Sequence, residues 1–166
     1  MKKGNTAGEP AQPQEQRRTR KIVPDTGVLA EYIIEKAPYR AKAEKILREA
    51  ATGNIELLLT PITLSETLYV ASRIYEAASL PRPNEEALNY ILWLKTIAKT
   101  VEADEETAIR AGELKKTLRI ALPDCYVIAA AEKTGATPLF RKPEEEMKPV
   151  LGELKRLGVK FLDETP

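Results

Sequence analysis

The chain has 166 residues, enough for one domain with a buried core. Hydrophobic residues make up 43% and charged residues 31%, which fits a globular chain in water, and no apolar run nears the ~20 residues that span a bilayer. There is no histidine and one cysteine, Cys125, which excludes His-based acid–base and nucleophile chemistry, His metal sites and an internal disulfide; a metal would have to be held by oxygen, which favours Mg2+ or Mn2+.

Net charge is +1 but unevenly spread: residues 1–21 hold six of the 26 Lys and Arg and two of the 25 Asp and Glu. Residues 1–20 are rich in Gly, Pro, Gln and charge without periodicity and read as a disordered basic tail, either a nucleic-acid arm or a solvated extension. Residues 21–166 read as the folded domain. No apolar segment follows the basic N-terminus, so a secretory signal is not expected; with the lone cysteine this points to the cytoplasm. Abundant Lys and Glu lean toward a thermophilic source.

Order begins at Ile22 and Val23, a short strand ending at Asp25. Thr26 and Gly27 turn into a helix with Val28, Leu29, Tyr32 and Ile33 on one face. Pro38 ends it, and a second helix with Ile46, Leu47 and Ala50 inward stops near Gly53. Ile55 to Leu59 fits a buried parallel strand. Thr60 to Thr63 opens a long helix whose expected stripe is Leu64, Leu68, Ala71, Tyr75 and Ala78, with Glu66 in its first turn and Arg73 on the Glu66 face. Asn84 is expected to cap the next helix, where Tyr90 and Trp93 suit either core or a dimer interface. A weak strand is expected at 100–103, and then Asp104 caps another helix. The stretch 122–140 reads as a helix with Asp124 in its first turn, a Gly turn and a strand. A last helix is expected over 144–157, then a strand over 159–162. Strands alternate with helices, so the fold class is α/β with a parallel sheet covered on both faces.

In such sheets ligands bind beyond the carboxyl ends of the strands, and every returning helix starts at that edge. Asp25, Glu66, Asp124 and Glu144 are therefore expected on one rim. Each alone has an ordinary explanation as a helix cap, a dipole partner or a solvated acid. Together they suggest a divalent-cation site, because clustered carboxylates repel unless a cation is present. Such a site supplies phosphodiester hydrolysis without histidine. Lys115, Lys116 and Arg119 line either an RNA path or a solvated helix end.

The segments VPDTGVLAEYI (23–33), TPITLSETLYVASRI (60–74) and LPDCYVIAAAEKTGATPLFRKPEEEM (122–147) resemble the PIN-domain family, in particular VapC-type toxin ribonucleases. The resemblance implies a PIN-like three-layer α/β/α sandwich with a parallel sheet of about five strands in the order 3-2-1-4-5. It implies an Mg2+- or Mn2+-dependent endoribonuclease, with RNA as substrate, a VapB-type antitoxin as a possible partner, and a homodimeric state. It places the family's acids on Asp25, Glu66 and Asp124 as catalytic residues and metal ligands. Thr26 falls on the hydroxyl residue after the first acid, a substrate-binding place, and Arg73 is a further candidate for RNA contact. The family's fourth acid would fall on Lys142. Glu144, two residues on, is the candidate replacement ligand; if it does not substitute, Lys142 serves as a fixed positive charge near the scissile phosphate. The same Lys142 supports the alternative of a catalytically degenerate PIN domain that binds RNA or protein without cutting. A doubly wound phospho-acceptor domain, with Lys142 as its lysine, is a third reading.

Overall fold

A computed structural model describes residues 19–165. The expected tail, 1–20, lies outside the described residues apart from Thr19 and Arg20, and Arg20 already belongs to the first strand. Five strands form one sheet: β1 (Arg20–Pro24), β2 (Ile55–Leu59), β3 (Ala98–Thr100), β4 (Thr137–Phe140) and β5 (Lys160–Phe161). All pairings are parallel and the order is β3-β2-β1-β4-β5, as expected. Ile22 of β1 is in register with Leu57 of β2 on one side and Thr137 of β4 on the other.

Alternation along the strands builds two cores, because successive side chains point to opposite faces. Ile22, Leu57, Leu59 and Leu139 face one way and pack on α1 (Thr26–Ile33), α2 (Arg40–Ala51), α3 (Pro61–Ala77) and α4 (Pro83–Ile97). Val23, Leu58, Phe140 and Phe161 face the other way, against α5 (Glu105–Leu118), α6 (Leu122–Thr134) and α7 (Leu151–Arg156). This is a three-layer α/β/α sandwich. Among the described residues no helix is long and apolar enough to cross a membrane.

Several local expectations are revised. The deeply buried stripe of α3 is Thr63, Thr67 and Ala71, while Leu68 is 38% exposed and Ala78 lies on the surface. The helix packs mainly against α4 and α1, and small residues let those helices approach closely, so the leucine pattern misleads. Arg82, not Asn84, occupies the N-cap of α4, because Pro83 is preorganised for the first helical position. The third strand lies at 98–100 rather than 100–103. Glu144 to Glu146 are not helical. Met147 and Lys148 both donate their backbone N–H to the Glu144 carbonyl, and a 3-10 turn over Lys148–Val150 precedes α7. Pro149 has no N–H to give and restricts the residue before it, which delays the helix to Leu151.

The chain winds outward from β1 through β2 to β3, then returns to β4 and β5. The reversal leaves a crevice between β1 and β4 at their carboxyl ends, where doubly wound sheets bind ligands.

Candidate active site

Asp25 follows β1 directly and caps α1. Its backbone N–H donates to the Leu139 carbonyl of β4 (2.8 Å), which seats it in the crevice, and its Oδ2 accepts from the Gly27 N–H (2.9 Å). Thr26, nearly buried at the first position of α1, donates through Oγ1 to Glu66 Oε2 (3.3 Å). Glu66 lies in the second turn of α3, not the first, because the helix begins at Pro61 behind the Thr60 cap. Asp124 stands in the first turn of α6. That helix is covered on almost every side, with Cys125 and Val127 to Ala131 all buried, so Asp124 is only 8% exposed.

After β4 the chain passes Arg141 and Lys142 into the acidic turn. One carboxylate oxygen from each of Asp124, Glu144 and Glu146 lies within 4.8 Å of the others. Glu146 also accepts from the Ala121 N–H, which ties the turn to the N-cap of α6. Glu146 joins the cluster although its sequence position does not single it out. The signal was present in the run 144–146, but assigning that run to a helix sent its third glutamate, Glu146, to a different face from Glu144.

The electrostatics follow from burial. Desolvation pushes the Asp124 carboxyl from its ordinary 3.8 up to about 8, reinforced by Asp25, Glu144, Glu146 and Glu66. Asp25 is pushed up to about 6, again chiefly by desolvation; the N–H groups of Gly27 and Thr26 pull it down, and Glu66 and Glu144 push it up. Thus Asp25, Glu66, Glu144 and Glu146 all act on Asp124 across one rim. The donor set is carboxylate oxygen throughout, and what disfavours ionisation of Asp124 and Asp25 is burial together with neighbouring negative charge, which a cation would offset. Both features fit a hard divalent cation. Asp124, Glu144 and Glu146 are the groups best placed to hold it, with Asp25 and Glu66 beside them.

Not every predicted residue is brought to this rim. Arg73 lies two turns beyond Glu66 along α3, about 10 Å by helical rise, and pairs with Glu76 (2.6 Å) at the surface. Lys142 is exposed and lines an open hollow with Glu144, Glu145 and Glu146. Lys115 donates to the Ile120 carbonyl (2.6 Å), helping close the α5–α6 turn. Tyr90 is core, with its hydroxyl donating to the Leu29 carbonyl (2.9 Å), whereas Trp93 is 36% exposed and stacks on Tyr32. Cys125 is fully buried and its thiol is pushed up to about 11 by burial and by Asp124, so it is inert.

A comparison with protein families matches the PIN domain over residues 22–142. A comparison with curated proteins finds no significant match. Among solved structures, the chain is similar to the VapBC2 crystal structure from Rickettsia felis, bound to a DNA fragment from their promoter. Identity is 17% and the TM-score 0.58, over 85% of this chain and 96% of that one. It is also similar to VapC20 of Mycobacterium tuberculosis, a Sarcin-Ricin loop cleaving toxin. Here identity is 14% and the TM-score 0.57, over 78% of this chain and 94% of that one.

Proposed function

The chain belongs to the PIN-domain family, and from that premise we propose that it is a divalent-metal-dependent endoribonuclease serving as the toxin of a toxin–antitoxin pair. The observation that carries the reading is the convergence of Asp25, Glu66, Asp124, Glu144 and Glu146 at the crevice between β1 and β4. When bound, Mg2+ or Mn2+ supplies positive charge against the phosphodiester and makes water a better nucleophile near neutral pH. Asp124, Glu144 and Glu146 hold the cation, and Asp25 and Glu66 complete its surroundings. Thr26 steadies Glu66 through their hydrogen bond, and the Asp25 cap on Gly27 N–H fixes the direction of that carboxylate. The exposed Lys142 ammonium attracts the RNA backbone to the edge of the acidic rim. Arg73, engaged by Glu76, has no part in this reading.

The likeness to VapC20, a Sarcin-Ricin loop cleaving toxin, and to VapBC2 supports RNA as substrate and a VapB-type antitoxin as partner. A homodimer fits the apolar side chains that α3 and α4 leave outside: Leu68, Tyr69 (67% exposed), Leu88, Leu92 and Trp93. Lys142, standing where the family's fourth acid falls, favours a competing reading in which the domain binds RNA without cutting it. The Asp124→Asn variant tests the first reading. RNA cleavage that depends on Mn2+ in the wild type and disappears in Asp124→Asn supports it. Equal cleavage by both, in preparations free of other nucleases, refutes it. Retained RNA binding with no Mn2+ binding at millimolar concentration favours the competing reading.

A further inference from the structure

We infer that the ion pair between buried Glu31 and half-exposed Arg141 is a latch that positions the Glu144–Glu146 turn over Asp25 and Asp124. Its consequence for metal affinity rests on the ribonuclease reading; its consequence for the turn does not. Glu31 lies inside α1 and is 1% exposed. Its two oxygens have separate duties. Oε2 accepts from the Tyr39 N–H (2.8 Å), and Oε1 accepts from Arg141 Nε. Arg141 is the first residue after β4, where the acidic turn begins. Its guanidinium lies over the Tyr39 ring, 5.7 Å from the centroid, and its carbonyl accepts from the Asp163 N–H (3.3 Å). At the far end of the turn, Glu146 is bonded to the Ala121 N–H and Met147 is 1% exposed. Residues 141–147 are therefore fastened at both ends, while Lys142, Glu144 and Glu145 between them are exposed.

Two arguments make the pair a positioning device rather than simple glue. First, burying the Glu31 carboxylate is costly, and well-packed apolar side chains of equal volume hold elements together as well. What the guanidinium adds is direction, because its Nε–H lies in the rigid guanidinium plane and fixes the line of approach to Oε1. Second, the pair brings Arg141 very near the site. A Cβ on Gly27 would meet Arg141 Cβ at 3.3 Å and Asp25 Oδ2 at 3.0 Å. The start of the turn and the first acid both crowd Gly27, so that a side chain there would make them give by a few tenths of an ångström. A shift of Arg141 is thus felt at Asp25 and, along the turn, at Glu144 and Glu146.

The test uses the full chain with Glu31→Gln, Arg141→Gln, the double variant, and Ile46→Val as a core control away from the turn. Without metal, amide hydrogen exchange over residues 144–147 is expected to quicken about tenfold in each single variant. Mn2+ affinity, measured by calorimetry, is expected to weaken about tenfold, as for other groups that orient metal ligands. The double variant should be no worse than either single one, because the two residues act as a unit. Ile46→Val should change neither readout. A folded Glu31→Gln with unchanged exchange and affinity overturns the inference, as do effects that add in the double variant or recur in Ile46→Val. If Glu31→Gln does not fold, Arg141→Gln carries the same comparison, since its side chain is 36% exposed. If the wild type binds no Mn2+, the ribonuclease reading falls and the exchange rates alone decide the latch.

Discussion

Asp124→Asn is expected to stabilise the metal-free protein at alkaline pH while removing its function. In the unfolded chain this carboxyl titrates near 3.8; in the folded chain burial and the neighbouring acids raise it to about 8. Between those values the folded state holds a proton that the unfolded state has lost. Stability therefore falls as pH rises through this window and levels off above it. Each pH unit costs about 1.4 kcal/mol, so from pH 5 to pH 8 the wild type loses on the order of 4 kcal/mol through this one group. Asparagine has the same shape and no proton to lose. The gap between variant and wild type should thus open by on the order of 4 kcal/mol over that range, roughly 8 to 16 °C in melting temperature for a domain of this size. The assay is thermal unfolding in chelator at pH 5 and pH 8, repeated at pH 8 with excess Mn2+. The cation should raise the wild type toward the variant and leave the variant almost unmoved. A gap that does not change with pH, or a variant less stable than wild type at pH 8, would refute the assignment of Asp124 as a carboxyl strained by burial.

The same groups predict how metal binding responds to pH. Around pH 7, with Asp25 raised to about 6 and Asp124 to about 8, the pair holds about one proton, which a cation must displace. Calorimetry in buffers of different ionisation enthalpy should show release of about one proton, and Mn2+ affinity should rise roughly a hundredfold from pH 6 to pH 8; a flat profile would contradict it. In the core, Tyr90→Phe removes the hydroxyl that donates to the buried Leu29 carbonyl. This should cost about 1.5 kcal/mol, or roughly 4 °C in melting temperature at constant pH, without altering Mn2+ affinity.

Much of the fold was legible because its signals are local. Ile22/Val23, Leu57/Leu58 and Leu139/Phe140 divide between two cores by simple alternation, and the order of strands and helices dictates a parallel sheet. Asp25, Glu66 and Asp124 were legible as neighbours because strand ends and helix starts lie on one edge of such a sheet. What failed was everything that depends on how helices meet. The buried face of α3 is made of Thr63, Thr67 and Ala71, and no hydrophobicity count selects threonines over Leu68. The Glu31–Arg141 pair joins residues 110 apart through a contact that neither element announces.

The fourth acidic position shows why loops resist such reading even when their residues are plain. The strand register ends at Phe140, and Lys142 two residues later is exposed. A reading by fixed spacing from the strand therefore finds the wrong charge at the rim. The turn supplies the acids later, at Glu144 and Glu146, and it does so because Pro149 delays α7 and the Ala121 N–H draws Glu146 toward Asp124. Negative charge is thus kept at the crevice by displaced residues rather than by the expected one. The cost is that several acids surround a buried Asp124, which raises its pKa and makes the site a burden on the metal-free fold. A rim of this kind is relieved by a proton or a cation, so the arrangement that weakens the metal-free domain is the one that, on the proposed reading, a divalent ion would stabilise.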